Sequence, residues 1–218
     1  MRIGNIELEW LGQSGFLIKN GKNIYIDPFK IHNTEKADIV LITHSHYDHC
    51  SLEDLQKILK DGSIIVMPAD VQSKITKLNF KVAMQIMEPG DSIDLNGLKI
   101  DAIPAYNIKK PYHSKLEGWL GYVLKFDNAI IYHAGDTDLI PEMEKLTGYS
   151  KKGNEFVALL PVGGEYTMNA DEAALAAKKI KATITIPMHF GSIIGDKNDA
   201  DKFCQLADSV SCKILDKK

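Results

Sequence analysis

A chain of 218 residues with 44% hydrophobic and 25% charged side chains is long enough to bury a sizeable core and too apolar to stay disordered. A formal net charge of −3 argues against a duplex-binding surface, which normally carries a basic excess, so no nucleic-acid partner is expected. No apolar run reaches the ~18–20 residues of a membrane helix, and the N-terminal MRIGNIELEWLGQSG has neither the apolar stretch nor the cleavage site of a secretory signal.

The chain therefore reads as soluble and cytoplasmic, without a membrane partner. No repeat or Pro/Gly/Ser-rich linker divides it, so residues 1–218 are expected to form a single domain. Its three cysteines, Cys50, Cys204 and Cys212, are too few and too odd in number for a disulfide framework. They read as reduced thiols, with Cys50 a small buried residue and Cys204 part of a helical core face.

In chain order, residues 6–11, 15–19 and 23–27 are β-rich runs separated by glycine-containing turns. DIVLIT, residues 38–43, is continuously apolar, as expected of a strand covered on both faces. A helix is predicted from Ser51, which has the cap residue, an acid three positions on, apolar residues at helical spacing and Gly62 at its end. A strand at 63–67 and a short helix at 69–78 follow. Asn96-Gly97 and Asp127-Asn128 mark two hairpins, 93–95 with 98–103 and 121–126 with 129–133. The remainder alternates: strand 156–161, a helix from Asn169 or Ala170 to 180, strand 183–187, helix 198–208 and strand 212–215. Strands early and strand–helix alternation late fit a four-layer α/β/β/α sandwich.

The most informative stretch is Thr43-His44-Ser45-His46-Tyr47-Asp48-His49-Cys50, placed between the DIVLIT strand and the Ser51 helix. His44 and His46 share a side at period-two spacing, while Asp48 and His49 follow on the turn. Imidazole and carboxylate together suit zinc, and also manganese or iron. A polar loop with coincidental histidines is the alternative, and three of the seven histidines falling here beside an aspartate weigh against it.

At this point the chain resembles the metallo-β-lactamase fold hydrolases, in which H-x-H-x-D-H follows a strand. The resemblance extends in order to Asp27 in IYIDPF, Asp136 in YHAGDTD and His189 in ITIPMHFG. LLPVGGEYTMNADEAALAAKKI and PMHFGSIIG are similar to the L-ascorbate-6-phosphate lactonase-like branch, which includes uncharacterised metal-dependent hydrolases. The resemblance implies the α/β/β/α fold and two divalent metal ions, zinc first, with manganese or iron as alternatives. It assigns His44 and His46 to one ion, Asp48, His49 and His189 to the other, and Asp136 to both. Asp27 would hold a ligand imidazole or the loop. Asp48 would orient the nucleophile and shuttle its proton.

One motif departs from the pattern. Where a third histidine is usual for the first ion, this chain has Pro104-Ala105-Tyr106-Asn107. His113, just beyond, is either its substitute or a loop histidine that meets substrate or solvent. The implied reaction is hydrolysis of an ester, lactone or phosphoester in a small molecule by a metal-activated hydroxide. A phosphodiesterase acting on nucleotides or phospholipid head groups, and a metal-binding module without turnover, are the alternatives.

Tyr166, Thr167 and Asn107 are candidate substrate contacts. Gly163-Gly164 allows close backbone approach or a positive φ. His133 reads as a satisfied packing histidine and His32 as a loop residue. Trp119 reads as core or pocket wall, and Lys109, Lys110 and Lys115 as solvated. The oligomeric state is left open.

Overall fold

The computed structural model describes residues 1–32, 35–152 and 154–218. The backbone forms two compact units, Met1–Glu88 with Leu215–Lys218, and Pro89–Ile214. Among the described residues no helix is long and apolar enough to cross a membrane.

The first unit is built on seven strands lying side by side in chain order: β1 (Arg2–Ile3), β2 (Ile6–Gly12), β3 (Gly15–Lys19), β4 (Asn23–Ile26), β5 (Ile39–Leu41), β6 (Ile64–Met67) and β7 (Ala83–Ile86). The pairs from β1 to β4 are antiparallel and those from β4 to β7 parallel. In β2, Ile6, Leu8 and Trp10 are buried while Glu7 and Glu9 are half-exposed, the period-two signature of a strand with one dry face. All three residues of β5 are buried, as its apolar run predicts.

Helix α1 (Leu52–Ile58) is capped by Ser51, whose side chain accepts from the Asp54 N–H. It packs Leu55, Ile58 and Leu59 into a core with Leu17, Tyr25, Val40, Ile42 and Ile65. The predicted 69–78 helix resolves into a 3₁₀ turn, Ala69–Val71, and the single turn α2 (Gln72–Ile75). Strand β7 was not predicted. All four of its residues are exposed, so it carries no burial periodicity, and its backbone pairing to β6 defines it.

The second unit repeats the scheme. Its sheet runs β14 (Ser211–Cys212), β13 (Ile184–Met188), β12 (Glu155–Pro161), β11 (Ala129–His133), β10 (Leu120–Lys125), β9 (Leu98–Pro104), β8 (Ser92–Leu95). Pairs from β8 to β11 are antiparallel and pairs from β11 to β14 parallel. Helix α3 (Ala170–Ile180) begins with a capping box between Asn169 and Glu172. Its buried face is Ala170, Ala173, Ala174, Ala176, Ala177 and Ile180. Such small side chains let α3 lie close to β12, to α4 (Lys197–Leu206) and to the 3₁₀ segment Pro141–Lys152, which was not predicted.

One expectation is corrected here. Cys204, near the end of α4, and Cys212, on β14, are joined in a disulfide with Cα atoms 5.3 Å apart. Cys204 is half-buried, not core. The turn after α4 brings two positions eight residues apart to bonding distance, which the cysteine count did not reveal. Cys50 is free and buried, and burial pushes its thiol up to about 11, so it stays protonated at neutral pH.

Candidate functional site

In both units the chemistry-bearing loops leave the C-terminal ends of parallel strands, the usual place for a ligand site in such sheets. Asp27 follows β4, and Thr43 to His49 follow β5. Asp136 follows β11, Gly163 to Thr167 follow β12, and His189 follows β13.

In the first unit everything turns on Asp27, which is fully buried. Its Oδ1 accepts from the Thr43 N–H at 2.8 Å. Its Oδ2 accepts from the Thr43 hydroxyl at 2.6 Å and from His49 Nδ1 at 2.7 Å. A carboxylate only accepts, so these contacts fix the protons. His49 carries its hydrogen on Nδ1 and presents the lone pair of Nε2. Because the Thr43 hydroxyl gives its hydrogen to Asp27, its oxygen receives from His44 Nδ1, 3.0 Å away. His44 therefore presents the Nε2 lone pair as well, 3.1 Å from His46 Nδ1.

Asp48 lies with Oδ2 at 3.4 Å from His49 Nε2 and accepts from Gln13 Nε2 at 3.1 Å. The loop is clamped from outside by Lys74 of α2, which donates to the Ser45 carbonyl. His46 is half-buried, and His44, Asp48 and His49 are buried.

In the second unit Asp136 Oδ2 lies 3.0 Å from His189 Nε2 and 3.4 Å from His113 Nε2, all three residues being buried. The His113 ring is oriented from behind. Its Nδ1 faces the Asn107 Oδ1 at 3.0 Å and the Tyr166 carbonyl at 3.1 Å. Both are acceptors, so Nδ1 carries the hydrogen and Nε2 the lone pair.

Asn107 is held in turn, its amide nitrogen donating to Asp138 Oδ1 and the Tyr166 carbonyl, each at 3.0 Å. Asp138 also accepts from the Ile108 N–H at 2.9 Å and from Lys110 Nζ at 2.7 Å. Lys110 donates further to the Thr167 carbonyl at 2.7 Å, so it is a buttress and not merely a solvated charge.

Gly163 approaches the His189 carbonyl so closely that a Cβ would have no room, and Gly164 has φ +84°. Both uses expected of the glycine pair are present.

Of the other candidates, Thr167 is buried with its hydroxyl on the Met168 carbonyl at 3.4 Å. Tyr166 brings its carbonyl to His113, and its ring meets Tyr112 edge-on. His133 is buried and its Nδ1 accepts from the Gly135 N–H at 3.2 Å, the satisfied packing role. His32 is exposed. Trp119 packs its ring 5.5 Å from that of His113 and lines a cavity of about 290 Å³ with Tyr106, Lys115 and Glu142. Lys115 is paired with Glu142 at 2.9 Å and sits over the Tyr106 ring. Sequence reasoning missed Gln13 and Asp138. Gln13 lay in a segment read only as a turn, and Asp138 stood two positions from the aspartate that drew attention.

The donor set fits divalent metal. It combines buried imidazoles with proton positions fixed by neighbours and carboxylates presented to imidazole nitrogens at 3.0–3.4 Å. For His49 and His113, whose Nε2 is a lone pair, facing a carboxylate oxygen at 3.4 Å is repulsive unless a cation intervenes. Backbone strain concentrates at the same places: Asp27 has φ +43° and His189 φ +57°, conformations that a side chain larger than glycine's disfavours.

Comparison with known proteins agrees. The profile of the "Beta-lactamase superfamily domain" matches residues 7–189. A UPF0173 metal-dependent hydrolase of Thermoplasma acidophilum is 33% identical, the match covering 97% of this chain and 95% of that one. Another from Pyrococcus horikoshii is 32% identical over 92% of each. The solved structure of Igni18, a metallo hydrolase from the archaeon Ignicoccus hospitalis, superposes with a TM-score of 0.79 at 27% identity, covering 97% of this chain and 95% of that one. The chain belongs to the metallo-β-lactamase superfamily and has its α/β fold. Within that superfamily its branch is that of the UPF0173 metal-dependent hydrolases.

Proposed function

We propose that this chain is a metal-dependent hydrolase of a small molecule, with His44, His46 and His113 as donors to one divalent ion, Asp48, His49 and His189 to a second, and Asp136 to both. The single observation that carries the reading is the proton bookkeeping around the imidazoles. Asp27 through Thr43 turns His44, Asp27 directly turns His49, and Asn107 with the Tyr166 carbonyl turns His113, each presenting Nε2 as a lone pair. Three separate devices with one result are what metal ligation requires of neutral imidazole.

A divalent ion held by these donors would supply a water of lowered pKa and would offset negative charge on a scissile oxygen. The chain's own side chains supply the rest. Asp48, with Oδ2 held by the Gln13 amide, accepts the proton of the attacking water and returns it to the leaving oxygen. Asp27 and Asn107 keep the imidazoles from rotating, so no reorganisation is needed as charge develops.

An ester, lactone or phosphoester is the bond proposed, with a lactone or phosphorylated sugar acid first, by similarity to the lactonase-like branch. Zinc is the first choice of metal. The feature favouring a module without turnover was the missing third-motif histidine, and the burial of His113 beside Asp136 supports its use as the replacement.

The test is elemental analysis of never-chelated protein, together with turnover of chromogenic ester, lactone and phosphodiester probes. His46→Ala and Asp136→Ala should abolish turnover with circular dichroism unchanged. Full activity in both variants refutes the reading, and turnover confined to the phosphodiester replaces it with a phosphodiesterase.

A further inference from the structure

The Gly12-Gln13-Ser14 turn joins β2 to β3 and carries three irregularities, two of them on Gln13. The β2–β3 register shifts between Trp10 and Gly12, a bulge at the tip of the hairpin. Gln13 itself has φ +50°, a left-handed backbone that glycine or asparagine adopts far more readily. Its side chain is only 1% exposed, with Nε2 donating to Asp48 Oδ2 at 3.1 Å, while among the described residues none donates to its Oε1.

The orientation of the amide follows from chemistry. Asp48 as a carboxylate can only accept, so nitrogen faces it and oxygen faces away. The strained turn is held by the Trp10 indole N–H, which donates to the Gln13 carbonyl at 3.0 Å.

A buried acceptor without a donor and a left-handed non-glycine backbone each destabilise a fold. A glycine at position 13 would remove both. That both fall on the one residue that reaches Asp48 from the hairpin is the signature of a bulge used to aim a side chain.

We infer that Gln13 is a positioning residue, built into the β2–β3 hairpin to hold Asp48 by its Oδ2. This rests on the reading of Asp48 as a metal ligand and proton carrier. The Gln13 amide, donating to Oδ2 at 3.1 Å, restricts rotation of the carboxylate.

The experiment compares wild type, Gln13→Asn and Gln13→Gly. Asparagine tolerates the left-handed backbone but is one methylene short of Asp48. Glycine removes the amide and relaxes the turn, which guards against a variant that simply misfolds. Zinc affinity is read by competition with a chromophoric chelator, and the visible spectrum is read after cobalt(II) loading.

The expected result is a loss of about tenfold or more in affinity for one ion and an altered cobalt band in both variants, with the metal-free melting temperature unchanged or higher. A purely structural glutamine would lower the melting temperature and leave the cobalt band alone. Wild-type affinity and an unchanged band in both variants overturn the inference while leaving the metal reading intact. Failure of wild type to take up zinc or cobalt overturns both.

Discussion

At the residue scale the decisive facts are proton positions, and Asp27 controls most of those in the first unit. It accepts three hydrogen bonds while fully buried and at a strained φ of +43°, so its job is to organise others. Asp27→Asn replaces one acceptor oxygen with an NH₂ group that must oppose Thr43 or His49. Metal affinity should fall ~10–100-fold, read by chelator competition. The metal-free protein should lose about 1–3 kcal/mol in urea unfolding.

The two buried histidines of the second unit make a sharper contrast. His113 faces Asp136, whereas His133 spends Nδ1 on the Gly135 N–H. His113→Ala should therefore lower the metal content per chain in elemental analysis, and His133→Ala should leave it at the wild-type value. Equal metal content in the two variants would remove His113 from the ligand set.

At the scale of elements, α1 is tied to the loop that follows β4 through Asp54. Its carboxylate accepts from the Lys30 and Ile31 N–H groups at 2.8 and 3.2 Å, from Ser51 Oγ at 2.7 Å and from Lys57 Nζ at 2.9 Å. Burial acts to raise its pKa, but these four contacts outweigh it and hold the carboxyl below its ordinary value. A depressed carboxylate contributes stability that is fully present above the unfolded-state value and lost as pH falls through the folded one. Asp54→Asn should thus cost about 1–3 kcal/mol at pH 7. The gap to wild type should hold constant down to about pH 4 and close below it, as measured by urea unfolding across pH. A gap that widens on acidification would contradict the assignment.

The close approach of Gly163 to the His189 carbonyl sets a second test at this scale. Gly163→Ala pushes the loop after β13 away from the end of β12, and should cost about 1–3 kcal/mol while also lowering metal affinity.

At the scale of the whole molecule, the bond from Cys204 to Cys212 ties α4 to β14, the edge strand of the second sheet. By loop length alone, removing it should lower unfolding free energy by about 2–3 kcal/mol. Cys204→Ser compared with oxidised wild type in urea checks this, and metal content should not change.

Much of the architecture was legible before any coordinates. The hairpins at Asn96-Gly97 and Asp127-Asn128, the capped α1 and α3, and the continuous DIVLIT strand are local features, written in turn chemistry and periodicity. The His44 to His49 cluster was legible for the same reason, since its members are neighbours in the chain.

What only the tertiary structure decided are relations between distant or aperiodic positions. The exposed edge strand β7 has no burial pattern, and the 3₁₀ segment Pro141–Lys152 was not signalled. The disulfide depends on where a turn delivers two cysteines. The roles of Gln13, Asn107 and Asp138 depend on hydrogen bonds to residues 35, 6 and 31 positions away or more. A linear pattern records which side chains are near in sequence, and the direction of a proton on a buried imidazole is set by whatever the fold packs behind it.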